Sequence, residues 1–145
     1  MRAVTLDPAL AQRVTRLVAD YLDDADNDTD DGLDIVTEPV AIQAGTAMVL
    51  VRLVDADPPV VRVFSPLVRS VERGSDLLAE LNEINAHLNF LRLFWRDHTV
   101  FAATELLAES ADAAAIAHAC DAVADLADYY DVRFHERYGG DLAYG

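Results

Sequence analysis

Hydrophobic and polar positions change period several times along the chain, and each change marks a new element. Leu10, Val14, Leu17, Val18, Tyr21 and Leu22 recur at helical spacing after Asp7-Pro8, a cap followed by a proline suited to a first helical turn. Leu33 to Ile42 fits a short edge strand broken at Pro39. Thr46 to Val54 reads as a strand, Asp55 to Pro59 as a turn, and Val60 to Phe64 as the strand that pairs back, with regular pairing weakening at Ser65-Pro66. Ser75 is placed to cap a central helix whose face is Leu77, Leu78, Leu81, Ile84, Asn85 and Leu88. Phe90 to Trp95 then predicts a strand, Arg96-Asp97-His98-Thr99 a tight polar turn whose type the glycine-free core does not specify, and Val100 to Leu106 the return. Ser110 is positioned to cap a long final helix with an alanine-rich face (Ala113, Ile116, Ala117, Cys120, Val123, Ala124, Ala127) that stops at Tyr138-Gly139-Gly140. The pattern predicts a single α+β domain over residues 1–145, an antiparallel sheet with helices on one face, in the order α-β-β-β-α-β-β-α.

Period two divides each strand between the two faces of that sheet. Ala47, Val49, Val51, Leu53, Val61 and Val63 form a uniformly apolar set that should meet the helices, joined by Leu91, Leu93 and Trp95. The opposite face collects Met48, Leu50, Arg52, Val60, Arg62, Phe64, Phe90, Arg92, Phe94 and Arg96. Apolar surface interleaved with arginine suits a partner-binding face. Arginine stems merely shielding a half-exposed sheet are the plainer alternative. Arg52, Arg62, Phe64, Phe90, Arg92, Phe94 and Arg96 are therefore the candidate partner-binding residues. Asn82 and Asn85, poor residues for a helix interior, are candidates for a structural role, bonding a neighbouring loop or the end of a strand.

Charge narrows the partner class. The 145-residue chain carries 26 acidic residues against 11 basic ones, all arginine, for a net charge of −15, yet 52% of its residues are hydrophobic. Such a chain can build a core, and its charge argues against nucleic acid and anionic membrane surfaces. The single cysteine excludes an internal disulfide. With no leader pattern and no apolar run long enough for a membrane span, the expected location is the cytoplasm.

Chemistry-bearing motifs are weak. The aspartate-rich stretch Asp23–Asp34 offers Asn27, Thr29, Asp31, Gly32 and Glu38 near calcium-loop spacing, but its first ligand is Asn and Pro39 stands where an exiting helix should begin. His87, His98, His118 and His135 are scattered without zinc spacing. Ser65, Ser70, Ser75 and Ser110 lie in turns or caps without a nucleophile elbow, and Glu80 with Glu83 reads as one solvated helix face. No enzyme, cofactor or metal is expected.

Leu81-Asn82-x-x-Asn85, then Phe90-x-Arg92-x-Phe94-Trp95, a polar turn and Val100 to Ser110 resemble the YbjN-like domains. Within these the chain is similar to actinobacterial proteins described as type III secretion chaperone-like or YbjN-like peptide-binding chaperones. Asp57 to Pro66, His118-Ala119-Cys120 and Phe134-x-Glu136-Arg137-Tyr138-Gly139-Gly140 extend the likeness over roughly Asp7 to Gly140. The resemblance implies a secretion-chaperone fold, commonly a homodimer, that holds a partner chain in extended form. The expected function is thus a non-catalytic, chaperone-like module for a peptide or protein client, one whose carboxylates would pair with the arginines. The alternative is a dimeric structural or regulatory protein without a client, and a metal sensor using Asp23–Asp34 stands third.

Overall fold

The computed structural model describes the backbone of residues 40–44, 47–54 and 57–143, and the side chains of 47–54 and 57–143. The first helix and the aspartate-rich stretch expected from sequence lie outside the described residues. From there on the chain runs β1 (Val40–Ala44), β2 (Ala47–Val54), β3 (Val60–Arg69), α1 (Ser75–Asn85), β4 (Arg92–Arg96), β5 (Thr99–Leu107), a single 3-10 turn at Ala108–Ser110, α2 (Ala113–Tyr138) and a two-residue β6 (Asp141–Leu142). The antiparallel sheet is ordered β1-β2-β3-β5-β4, with β6 added to the far end of β3.

The inner face is the one the alternation predicts. Val49, Val61, Val63, Val100 and Ala102 are fully buried, with Val51 and Leu93 nearly so. They pack into one core with Ile116, Cys120, Val123, Ala124 and Phe134 of α2 and with Leu77 and Leu81 of α1. Small residues on α2 let its axis lie close to the sheet, and Phe134 fills the space beyond them between Tyr130 and Tyr138. Burial, with the charge of Asp121 adding to it, pushes the Cys120 thiol up to about 12, so this side chain serves as a small hydrophobe.

Four local expectations are corrected. β3 continues past Ser65-Pro66 to Arg69. Its pairing with β2 ends at Leu50–Phe64, and a register shift against β5 between Pro66 and Val68 accommodates the proline. The residue preceding α1 is Gly74, with no side-chain cap, so Ser75 is helical. Asp112, not Ser110, caps α2, accepting a 2.8 Å bond from the Ala115 N–H. Leu78 is exposed although it lies next to the buried Leu77.

The β4–β5 turn resolves into a two-residue loop with Asp97 at φ 52° and His98 at φ 61°. Positive φ at both central positions is the primed geometry that matches strand twist. Asp and His are among the residues that tolerate that region without glycine. The turn is anchored to the layer beneath it by the Val71 N–H donating to the His98 carbonyl at 2.9 Å. After α2, Gly139 and Gly140 take φ values of 79° and 74°, and a Cβ on Gly140 would stand 2.2 Å from the Arg69 carbonyl oxygen. Only glycine lets the chain turn back there and lay β6 against β3.

Candidate functional site: the open face of the sheet

Cross-strand register builds the face away from α2 in rows. Arg52 stands opposite Arg62, and Arg62 opposite Glu105. One row on are Leu50, Phe64, Ala103 and Arg92, and beyond them Phe101 with Phe94. The aromatic rings make a ladder: Phe94 stacks on Phe101 with centroids 5.4 Å apart, and Phe101 meets Phe64 edge-on at 6.3 Å. Guanidinium groups cover its flanks, Arg52 over Phe64 at 5.4 Å and Arg92 over Phe94 at 5.3 Å.

Glu105 organises the charge. Arg92 grips it with two bonds of 2.6 and 2.8 Å, and Arg62 adds a third at 3.1 Å. Burial alone would raise the Glu105 pKa, but the hydrogen bonds and charge of Arg92, then of Arg62, outweigh it and hold the carboxyl below its ordinary value. Among the described residues Arg52 has no such partner: its Nε is buried without a hydrogen bond.

Five of the seven sequence-derived face residues, Arg52, Arg62, Phe64, Arg92 and Phe94, are brought together in this way. Arg96 lies at the strand end, exposed, with its Nε 3.8 Å from Asp97, away from the Glu105 cluster. Phe90 is a correction. It precedes β4, takes φ 65°, and is 96% exposed. Its carbonyl accepts a 2.6 Å bond from the hydroxyl of buried Thr104, which turns the backbone out of strand geometry. Phe101 and Glu105 are absent from the sequence-derived set because, in the second hairpin, alternation is followed only along β4 and not along β5. Carrying period two across the Asp97-His98 turn pairs Phe101 with Phe94 and places Glu105 on the same face.

Asn85 and Asn82 part company. The Asn85 side chain accepts from the Leu93 N–H at 2.8 Å and donates to the Leu93 carbonyl at 2.9 Å. It thereby substitutes for a neighbouring strand on β4, the last strand of the described sheet at that side. Asn82 is exposed. Glu80 is not the solvated residue its sequence suggests. Its side chain is 11% exposed, holds Arg133 and Arg137 at 2.8 Å each, accepts from the Tyr138 hydroxyl, and so ties α1 to the end of α2. Burial opposes its ionisation, but Tyr138, Arg133 and Arg137 together lower its pKa.

The two depressed carboxylates set an acid limit. A group with a lowered folded-state pKa contributes stability in full above its unfolded value and loses it as pH falls through the folded value. Relative to the ordinary value of 4.5 for both glutamates, that window lies below pH 4.5. Melting temperature should therefore fall steeply below it, and a Glu80→Gln/Glu105→Gln variant should show a flatter slope there, measured by thermal denaturation across the acid range.

Among the described residues no three His, Cys, Asp or Glu side chains gather as a metal site, and no helix is long and apolar enough to cross a membrane. The architecture is an α+β domain with one sheet face packed on helices and the other carrying arginine and phenylalanine. A chain in the crystal structure of the ExsC–ExsE complex shares this fold at a TM-score of 0.56 and 16% identity, over 85% of this chain and 94% of that one. The TY-Chap1 family model, described as T3SS (YopN, CesT) and YbjN peptide-binding chaperone 1, matches residues 5–145. The chain belongs to that family of peptide-binding chaperones. No curated protein matches it.

Proposed function

We propose that this protein is a non-catalytic, cytoplasmic chaperone module that holds an extended peptide or protein segment against the open face of its sheet, and that it works as a homodimer. The observation that carries the reading is the Phe64–Phe101–Phe94 ladder bordered by Arg52, Arg62 and Arg92. Aromatic residues and arginine are the side chains that dominate binding hot spots. The core on the other face is complete without them, so folding stability is not what requires three phenylalanines there. Family membership supplies the client class, a peptide segment. The net charge of −15 disfavours nucleic acid and anionic membranes as competing partners.

Asn85 bears on how the segment is held. With Leu93 already bonded on both backbone groups, strand addition at this point of β4 would have to displace the carboxamide.

Affinity capture from lysate with mass spectrometry, run beside light scattering of the purified protein, tests the reading. The expected result is a dimer that captures a discrete set of proteins and loses them when Phe94 and Phe101 are changed to serine. Capture of nothing but its own chain, with the same serine changes shifting the mass from dimer to monomer, would instead make the face a subunit interface without a client.

A further inference from the structure

We infer that Arg52 is the receptor for a side-chain carboxylate of the bound segment, which makes the recognised pattern apolar–x–acidic–x–apolar in an extended chain. This rests on the proposed use of the open face. Of the arginines there, Arg62 and Arg92 are already engaged by Glu105, and Arg96 sits apart beside Asp97. Arg52 stands directly across from Arg62, a like-charge pairing that two strands do not favour. Among the described residues its buried Nε has no hydrogen bond, and its guanidinium stacks on Phe64. A carboxylate meeting the guanidinium would supply the missing countercharge. The neighbouring position already demonstrates the chemistry: Glu105 is held by Arg92 through both oxygens and by Arg62 through one.

Spacing supplies the rest of the pattern. Residues two apart on a strand stand about 7 Å apart on one face. The Arg52–Arg62–Glu105 row is flanked on one side by half-buried Leu50 and Phe64 and on the other by half-buried Val60 and exposed Leu107. A segment lying along β2 and β3 thus meets an apolar row, the charged row and a second apolar row at every other residue. Apolar surface on both sides suits an internal Asp or Glu rather than a chain terminus. It also suits a single carboxylate, because a wholly acidic tract would be repelled by a chain of net charge −15.

The test uses an array of N-acetylated, C-amidated decapeptides with apolar residues at alternate positions and Glu, Gln or Lys at the central one, read by fluorescence anisotropy. Wild type should bind the Glu peptides at least tenfold more tightly than their Gln counterparts and the Lys peptides least. Arg52→Gln should erase the Glu preference while retaining binding to the Gln peptides. Relief of the Arg52–Arg62 repulsion should leave its melting temperature unchanged or higher, separating lost recognition from lost fold. Equal binding of Glu and Gln peptides by wild type overturns the assignment but leaves the open face as the client site. A Glu preference that survives Arg52→Gln overturns it equally. Binding of no peptide in the array contradicts both this assignment and the proposed function beneath it.

Discussion

Leu81→Asp is expected to abolish the folded state. Leu81 is 4% exposed and lies in the core where α1 meets β4 and the sheet. Losing the leucine side chain removes about 2–3 kcal/mol of apolar burial. The new carboxylate must also either ionise in that environment or take up a proton, and the described core around it holds no arginine. Together these costs reach about 5 kcal/mol or more, comparable with the whole stability of a domain this size. Circular dichroism and the one-dimensional proton spectrum should show loss of the native state. A cooperative melt near that of wild type would mean that α1 does not belong to the core. Asn82→Asp, one residue on and exposed, serves as the control and should fold normally.

The second large effect is on binding rather than folding. Phe94→Ser with Phe101→Ser should weaken capture of a client segment at least a hundredfold while the domain remains folded. Each truncated hot-spot aromatic costs about 2 kcal/mol or more, so the pair reaches roughly 4 kcal/mol before any non-additivity. A loss of about 2.8 kcal/mol already makes a factor of a hundred. Both rings are only half-buried, and the α2-facing core of Val49, Val61, Val63, Val100 and Phe134 does not include them. The melting temperature should fall, since a stacked pair contributes about 1 kcal/mol beyond its area, but the transition should stay cooperative. Titration of a captured segment by anisotropy, beside a thermal melt, separates the two effects. Unchanged affinity would remove the ladder from the site.

What the chain reveals before folding follows from where its signals are local. Alternation in β2 and β3 separates Val49, Val51, Val61 and Val63 from Arg52, Arg62 and Phe64 without knowledge of any partner strand, and the structure divides them in the same way. The Asp97-His98 turn and the glycine stop after Tyr138 are equally local. A structural role for Asn85 followed from the poor fit of its amide in a helix interior, and the paired bonds to Leu93 supply that role. The remaining features depend on contacts distant in sequence. Glu105 gains its meaning from Arg62, forty-three residues earlier, and Glu80 from Arg133, fifty-three residues later. Phe90 continues an aromatic run, yet the Thr104 hydroxyl turns its backbone out of the strand. Pro66 looked like an end to β3 because the register shift that accommodates it exists only against β5. Of the face itself, the arginines and two phenylalanines of β3 and β4 were legible. Which arginine remains without a carboxylate was not, because that depends on the three-strand register.

The central claim, that the open face holds the client, is tested most directly by site-specific photo-crosslinking. A benzophenone side chain is placed at Phe101 in the ladder, or at Tyr129 on the exposed side of α2. The account predicts that position 101 forms adducts with extended segments of other proteins and that position 129 does not. Adducts from position 129 alone, or adducts from position 101 solely to a second copy of the chain, would contradict it.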